Sequence, residues 1–200
     1  MKVKYITIER EYGSGGTEIA EKVSEKCDVC CFGKEILERA AEKLNISVAE
    51  AEEYEESVTN SFLYSVFLMN KIQTADSVDL PIEGRLSVAE HQIITDLASQ
   101  GSAVFVGHCA CESLKKESGV IRVFIKADDE FKQQRAVDIY GINEKDAASV
   151  CRRYDKKRAN YYAFGTSKKW NDMSNYDMIL DSSKIGINGC VNAISALLDK

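Results

Sequence analysis

The sequence predicts an α/β fold in which helices flank a parallel sheet, and three observations lead to this fold class. Short apolar segments typical of strands are separated by longer amphipathic segments typical of helices. Two of the strand segments, 103–106 and 121–125, do not alternate between apolar and polar residues, as expected when both faces of a parallel sheet are covered. The first strand leads directly into a glycine-rich turn and a helix. A chain of 200 residues then suits one domain over residues 1–200.

The first predicted elements surround the glycine-rich turn. Alternation predicts a strand at 3–8, and apolar spacing predicts a helix from residue 17 to about residue 27. Ser47 and Glu50 form a capping-box pattern at the start of an acidic helix, whose charge run is typical of a solvated helix face. The other predicted segments are strands at 30–32, 103–106, 121–125 and 178–180, helices at 34–44, 61–72, 86–98, 109–116, 131–140, from 143 and at 188–198, and a loop at 74–84.

Composition excludes several kinds of partner. A formal charge of −6 and a pI near 5.1 argue against binding to a nucleic acid polymer or to an anionic membrane, both of which favour clustered cations. The N-terminus lacks the apolar core of a secretory signal, and no segment approaches a membrane span, so we expect a cytoplasmic protein. Cys27 and Cys30 form a CxxC, but no second pair follows at metal-ligand spacing, and we expect no metal site in the protein itself.

The stretch EREYGSGGTEIAEKV, residues 9–23, has the order of a phosphate-binding turn. Backbone N–H groups and the positive end of a helix would both point toward a bound phosphate. The alternative is a tight turn that binds no ligand. The usual phosphate-binding consensus GxxxxGK(S/T) carries a lysine where this chain has Gly16. Arg10 is the nearest cation in the sequence, and we expect it to be the substitute.

A second cluster, CRRYDKKRANYY, concentrates positive charge on an otherwise acidic chain. Arginine forks suit phosphate oxygens, and helical spacing places Asp155 one turn from Arg158, where it would hold the guanidinium. The alternative interpretation is an ordinary exposed basic helix. Together the glycine-rich turn and this helix would enclose a phosphate from two sides.

The segments ITIEREYGSGG, FGKEIL, SFLYS, VFVGHCA, DKKRANYY and SNYDMILDSSKIGI resemble, in order, the cytidylate kinase-like family of P-loop nucleoside monophosphate kinase relatives. The resemblance implies a P-loop three-layer fold with a parallel sheet, a helical monophosphate-binding insertion near 34–98 and a lid near 131–170. It also implies site residues. The nucleotide would contact Gly13, Ser14, Gly15, Gly16, Thr17 and Arg135. Arg153, Arg158 and Asp155 would join Arg10, the nearest cation in the sequence, in the catalytic group. The candidate acceptor contacts are Ser61, Tyr64, Gln92 and His108.

Two functions follow from this resemblance. The first is an ATP-dependent phosphotransferase that uses Mg2+ and transfers the γ-phosphoryl group to a nucleoside monophosphate, CMP or dCMP-like, or to another small acceptor. The second is a non-catalytic nucleotide sensor or partner-binding protein on the same fold, because the family commonly has arginine where this chain has His108. Apolar helices of the insertion would suit either the core or a homodimer interface.

Overall fold

The computed structural model describes residues 2–57 and 80–198. Its described strands form one parallel sheet in the order β2-β3-β1-β4-β5, so the predicted α/β class with a parallel sheet is confirmed. The glycine-rich turn follows the central strand. The strands are β1 Tyr5–Arg10, β2 Cys30–Phe32, β3 Ala103–Val106, β4 Val120–Lys126 and β5 Met178–Asp181.

Helices connect the strands and cover the sheet. None of the helices in the described ranges is long and apolar enough to cross a membrane. They are α1 Gly16–Cys27, α2 Lys34–Leu44, α3 Val48–Ser57, α4 Ile82–Ser99, α5 Ala110–Ser113, α6 Asp129–Asp138, α7 Glu144–Thr166 and α8 Ser182–Leu198.

Two apolar clusters on opposite faces of the sheet create three layers. On one face, α1 and α8 pack against β1, β3 and β4 through side chains such as Ile19, Ile8 and Ile194. On the other face, α2 and α4 pack against Phe105 and Tyr5. Alternate residues of β1 point to opposite faces, so both faces of this strand are buried. The central strand can therefore hold the following turn rigidly.

The first strand lies two residues further along the chain than the prediction of 3–8. Parallel pairing with β4 continues as far as Arg10 opposite Ile125, which brings Glu9 and Arg10 into the strand. Because Glu9 and Arg10 are charged, the sequence pattern ends the strand before them. Backbone pairing with the neighbouring strand nevertheless keeps both residues in β1. These two residues consequently lie at the carboxyl end of the central strand.

Most other boundaries agree with the sequence to within two residues. The capping box is confirmed, because the Ser47 N–H donates to Glu50 at 2.8 Å and the Glu50 N–H donates to Ser47 Oγ at 3.2 Å. Helix α4 begins at Ile82 rather than residue 86, after Pro81, so the end of the predicted 74–84 loop is helical. Helix α8 begins at Ser182, before the predicted 188, with a break at Gly186. The helix predicted at 61–72 lies outside the described residues.

Candidate active site

The candidate site lies outside the carboxyl ends of the central strands, where open parallel sheets commonly bind ligands. One side of it is the turn between β1 and α1. Another side is the turn at Gly107, His108 and Cys109, which follows the neighbouring strand β3 and has positive φ at all three residues. Helices α3 and α7 pack against each other beside these turns.

The β1–α1 turn has the conformation of an anion cradle. Gly13 and Gly15 have φ values of 79° and 78°, in the left-handed region that L side chains avoid. A Cβ at Gly13 would lie 2.5 Å from the Lys132 carbonyl oxygen, and a Cβ at Gly15 would overlap Ile187 Cδ1. At Gly13 the backbone contact and the positive φ together require glycine, whereas at Gly15 the positive φ is the stronger constraint, because the end of the Ile187 side chain can shift. The turn leads into the N-terminus of α1, whose free N–H groups favour an anion.

Other elements hold the turn in this conformation. The Tyr12 N–H donates to Asp155 on α7 at 2.6 Å, and the Ser182 hydroxyl at the start of α8 donates to the Ser14 carbonyl at 2.6 Å. Ser14 itself is buried and donates its hydroxyl to the Glu11 carbonyl at 2.7 Å. The turn is thus fixed from both sides before any ligand arrives.

The Arg10 side chain fills the space that a side chain at residue 16 would need. When GxxxxGK(S/T) is laid over residues 10–17, Arg10 takes the position of the first glycine, Gly16 that of the lysine and Thr17 that of the hydroxyl. A Cβ at Gly16 would overlap Arg10 Cβ, and a Cβ at Gly107 would lie 2.6 Å from an Arg10 guanidinium nitrogen. Arg10 therefore passes over Gly16 and reaches the Gly107 turn. Glycine at the lysine position makes room for arginine at the glycine position.

Next to Arg10 is a pocket of about 330 Å³. It is charged with both signs: Arg10 and residues of α7 contribute cations, while β1 and α3 contribute carboxylates. The remaining wall is aromatic. Its lining includes the cations Arg10, Lys157 and Arg158, the carboxylates Glu9, Glu52 and Glu55, and the rings of Tyr154, Tyr161 and His108.

The guanidinium groups of Arg10 and Arg158 line this pocket, and their positive charges are only partly neutralised by nearby carboxylates. Arg158 donates to the Arg10 carbonyl at 2.9 Å, which brings α7 onto the end of β1. Burial, and then the positive charge of Arg10, lower the pKa of Arg158 to about 9. Burial also lowers the pKa of Arg10. An anion placed between the two groups would offset both their desolvation and their mutual repulsion.

Unpartnered donors also indicate an anionic ligand. Within residues 2–57 and 80–198, the Nε atoms of Arg10 and Arg135 are buried and have no hydrogen-bond partner. An orphaned buried donor costs free energy, so such groups commonly belong to sites that a ligand completes. Arg135 lies 3.4 Å from the position of a Gly15 Cβ, and it donates to Glu18 at 2.7 Å. The two arginines therefore flank the glycine-rich turn.

His108 is held between two carboxylates. Its Nδ1 lies 3.0 Å from Glu55 and 3.0 Å from Glu90, and the Tyr161 hydroxyl donates to Glu90. Although burial opposes a charge on the ring, these carboxylates raise the pKa of His108 to about 10. Burial, and then the charge of Glu55, raise the pKa of Glu90 to about 7. The imidazolium is thus committed to an internal ion cluster.

Asp155 and Arg153 have contacts that the sequence does not reveal. Asp155 was predicted to hold Arg158, but its carboxylate accepts from the Tyr12 N–H and lies 3.7 Å from Lys132 Nζ. Asp155 is thus bonded to the turn and close to α6, and it acts on Arg158 through its charge, which opposes the lowering of the Arg158 pKa. Arg153 is exposed, with its guanidinium 5.5 Å from the Tyr154 ring centre, and it does not line the pocket.

Of the acceptor residues predicted from the insertion, only Gln92 lies within the described residues, and it does not line the pocket. Gln92 is exposed on α4 and accepts from Lys43 at 2.6 Å, which corrects its predicted position. Helix α4 turns its apolar face to the sheet, so Gln92 points to the outer surface. Ser61 and Tyr64 lie outside the described residues. Among the described residues, His108 is the predicted acceptor contact that lines the pocket.

Several pocket residues were missed by sequence reasoning. Glu55 belongs to an acidic run that is typical of a solvated helix face, and no local signal separates it from Glu52 or Glu53. Glu9 was missed because it was placed after the first strand, yet it is buried and accepts from Trp170 Nε1 at 3.1 Å. Lys157 belongs to the basic cluster that the sequence shows. It is one helical turn after Arg153, and nothing else in the sequence places it at the pocket.

The Thr17 hydroxyl could contact a divalent cation that is bound together with a nucleotide. Thr17 is exposed at the start of α1, in the consensus position for a magnesium-binding hydroxyl. Mg2+ keeps several waters and binds through phosphate oxygens as well as protein groups, so one hydroxyl beside the cradle fits its coordination habits. Thr17 is therefore the residue that would contact it.

A sequence profile described as the cytidylate kinase-like family matches residues 5–184. No curated protein sequence matches the chain. A solved structure of an uncharacterized protein from Eubacterium ventriosum is 24% identical, has a TM-score of 0.73, and each chain covers 98% of the other. Shikimate kinase from Bacteroides thetaiotaomicron is 13% identical, with a TM-score of 0.55 and 98% coverage of both chains. Shikimate kinase from Acinetobacter baumannii, solved with shikimate, is 13% identical with a TM-score of 0.52, covering 98% of this chain and 93% of that one.

Proposed function

This chain belongs to the cytidylate kinase-like family, and we propose that it is an ATP-dependent phosphotransferase acting on a nucleoside monophosphate, CMP or dCMP-like, or on another small acceptor. One observation carries the proposal. A glycine cradle at the N-terminus of α1 adjoins a pocket that two incompletely neutralised arginines, Arg10 and Arg158, enter from different elements. The cytoplasm, where ATP is supplied, is the compartment that this function requires.

Positioning and charge stabilisation supply most of the catalysis in phosphoryl transfer. The turn at Gly13–Gly16 would bind donor phosphates through backbone N–H groups, and Arg135 would lie beside them. Arg10 would stabilise the charge of the transferring group in place of the lysine. Arg158, on α7, would contact the same group from the opposite side. Mg2+ bound with ATP would neutralise phosphate charge, with Thr17 as its protein contact.

The alternative function is a nucleotide sensor that binds without turnover. One observation favours it. His108, which stands where the family commonly has arginine, forms ion pairs with Glu55 and Glu90. A sensor would need the donor cradle and would not need a cation free to bind an acceptor phosphate.

Coupled ADP release with ATP and Mg2+ tests the proposal. The reaction would be run with CMP, dCMP and other small acceptors, with calorimetric nucleotide binding in parallel. Acceptor-dependent ADP release supports the phosphotransferase. Binding without ADP release favours the sensor, and absence of both contradicts any nucleotide role for the cradle.

A further inference from the structure

The wall of the pocket that α3 forms is acidic. Glu52 and Glu55 line it, and the helix sequence VAEAEEYEES contains no lysine or arginine. This acidic wall adjoins α7, whose Lys157 and Arg158 also line the pocket.

An acceptor phosphate would be poorly matched to this wall. A dianion there would face two carboxylates, and like charges at close range disfavour binding. The nearest imidazolium, His108, is already 3.0 Å from each of two glutamates. Arg10 and Arg158 adjoin the donor turn, so the transferring phosphoryl group would occupy them. Lys157 of α7 also lines the pocket, with its ammonium 5.2 Å from the Tyr154 ring centre, but the lining residues that α3 contributes, Glu52 and Glu55, are both carboxylates.

We infer that the acceptor is the hydroxyl group of a neutral or cationic small molecule, and that the Glu55 carboxylate receives its proton. The inference rests on the proposed function. The acceptor oxygen would form a bond to the γ-phosphorus, while the bond from that phosphorus to the β–γ bridging oxygen breaks. ADP leaves with that electron pair, and the hydroxyl proton passes to Glu55 and then to solvent. Aligning a hydroxyl with a carboxylate is an established way to activate it for phosphoryl transfer.

Glu55 is the best placed of the three pocket carboxylates. Glu9 is buried and accepts from Trp170, and burial raises its pKa despite the opposing effect of Arg10, so its ionised form is disfavoured. Glu52 is exposed at the rim. Glu55 is partly buried, with 21% of its side chain exposed, and the contact with His108 fixes one oxygen at 3.0 Å. The same carboxylate lines the pocket, where it can orient a hydroxyl.

The ion cluster behind Glu55 positions it. Although burial alone would raise the pKa of Glu55, the charge of His108 holds it below its usual range, which keeps this carboxylate ionised in the pocket. Glu90 contacts the same nitrogen of His108, and Tyr161 donates to Glu90. The chain from Tyr161 to Glu55 therefore spans α7, α4, the β3 turn and α3. His108, Glu90 and Tyr161 are positioning residues in this scheme.

The experiment measures ADP formation from ATP and Mg2+ with two classes of acceptor. Water and glycerol serve as hydroxyl acceptors, and CMP, dCMP, UMP and AMP serve as phosphate acceptors. The variants are Glu55→Gln, Glu55→Asp and the matched control Glu53→Gln, which removes an exposed carboxylate of α3 outside the pocket. Calorimetric ATP affinity and thermal unfolding are measured for each variant. Glu55→Asp keeps a carboxylate and supplies the comparison if Glu55→Gln does not fold.

We expect the monophosphates not to stimulate ADP formation by the wild type. We expect Glu55→Gln to lower ADP formation with water or glycerol by at least about 10-fold, because a positioned base commonly contributes about 10²-fold or more. ATP affinity should change by less than about twofold, since Glu55 lies on the acceptor side. Glu55→Asp should retain more activity than Glu55→Gln, and Glu53→Gln should match the wild type.

Stimulation of the wild type by a monophosphate would overturn the inference and leave the proposed phosphotransferase standing. Wild-type ADP formation in a folded Glu55→Gln variant would also overturn it. If Glu55→Gln is unfolded, wild-type activity in Glu55→Asp would do so, because shortening the side chain should misplace the base. ATP binding without ADP formation in every arm would overturn the inference and the proposed function together.

Discussion

Relative to the phosphate-binding consensus, a cation and a glycine have exchanged positions. Arg10 stands where the consensus has its first glycine, and Gly16 stands where it has lysine. In a loop of the usual sequence, the glycine at the first position leaves space beside the lysine. Here the space above Gly16 is filled by Arg10, whose Cβ would overlap any Cβ at residue 16. In the proposed site the cation would therefore come from the end of β1 rather than from the start of α1.

This exchange predicts a specific pattern in a double-mutant cycle. Arg10→Gly should lower turnover by about 10²–10³-fold, the usual effect of losing one positioned electrostatic donor. Gly16→Lys alone should also be inactive, because its Cβ would overlap Arg10. The double variant Arg10→Gly/Gly16→Lys should recover at least about 10-fold over either single variant, measured as ADP release. Strictly additive losses would show that the two positions do not share a function.

Gly15 provides a second test at this scale, with a control elsewhere in the chain. Gly15 and Gly141 both have positive φ, 78° and 65°, but a Cβ at Gly141 would meet nothing within 4 Å. Gly15→Ala should therefore weaken calorimetric ATP binding by at least about 10-fold, whereas Gly141→Ala should carry only the backbone strain of about 1–2 kcal/mol, detectable by thermal unfolding. Equal ATP affinity in the two variants would argue against the cradle.

At the scale of secondary-structure elements, α7 brings cations onto the end of β1. Arg158→Ala should reduce turnover by about 10² or more while the fold is kept, because Arg158 faces the pocket beside Arg10. Arg152→Ala is the matched control, since Arg152 is an exposed cation of the same helix that does not line the pocket. The readout is ADP release together with circular dichroism. Equal turnover in a folded Arg158→Ala variant would remove Arg158 from the mechanism.

The His108 cluster joins α3, α4 and the β3 turn, and it should make stability depend on pH. The pKa of His108 is about 10 in the folded chain and about 6.5 in an unfolded one. The folded state therefore binds this proton more tightly, so the stabilisation is complete below about pH 6.5 and is lost as the pH rises through about 10. His108→Gln should lower the free energy of unfolding by about 1–3 kcal/mol near pH 6 and flatten its decline at higher pH.

Urea unfolding of the wild type and the variant across pH 6–9 measures this effect. His91→Gln is the control, because His91 is the other histidine of the sequence and lies exposed on α4. Burial lowers the pKa of His91, so this group is neutral in both states above about pH 7.5, and His91→Gln should keep the wild-type slope there. A His108→Gln variant with the same slope as the wild type would mean that His108 is not the titrating group.

How far the sequence predicts this molecule depends on whether the signal is local. Hydrophobic periodicity located the strands and helices, and the Ser47–Glu50 capping box could be identified because both partners lie within one turn. The contact between Glu55 and His108 joins residues 53 positions apart, and it depends on how α3 packs beside the β3 turn. Gln92 was misplaced because the sequence did not show which face of α4 points away from the pocket. Local pattern thus predicted the elements and the cradle, whereas tertiary packing decided which side chains meet at the pocket.

At the scale of the whole molecule, the parallel sheet, the glycine turn and α7 converge on one crevice. Ser182 at the start of α8 and Asp155 on α7 both bond to the turn, so elements more than 140 residues away hold it. A ligand that binds the turn should therefore stabilise the entire fold. At a ligand concentration of about 100 times the Kd, this linkage would add about 2.7 kcal/mol to the free energy of unfolding.

The most direct test of the proposed nucleotide site is a calorimetric titration of the wild-type chain with ATP and Mg2+, accompanied by thermal unfolding at the same nucleotide concentrations. We predict binding at one site per chain, with a Tm that rises as the nucleotide concentration increases. No binding heat and an unchanged Tm at millimolar ATP would contradict it, and the glycine turn would then be a structural feature of the fold without a nucleotide.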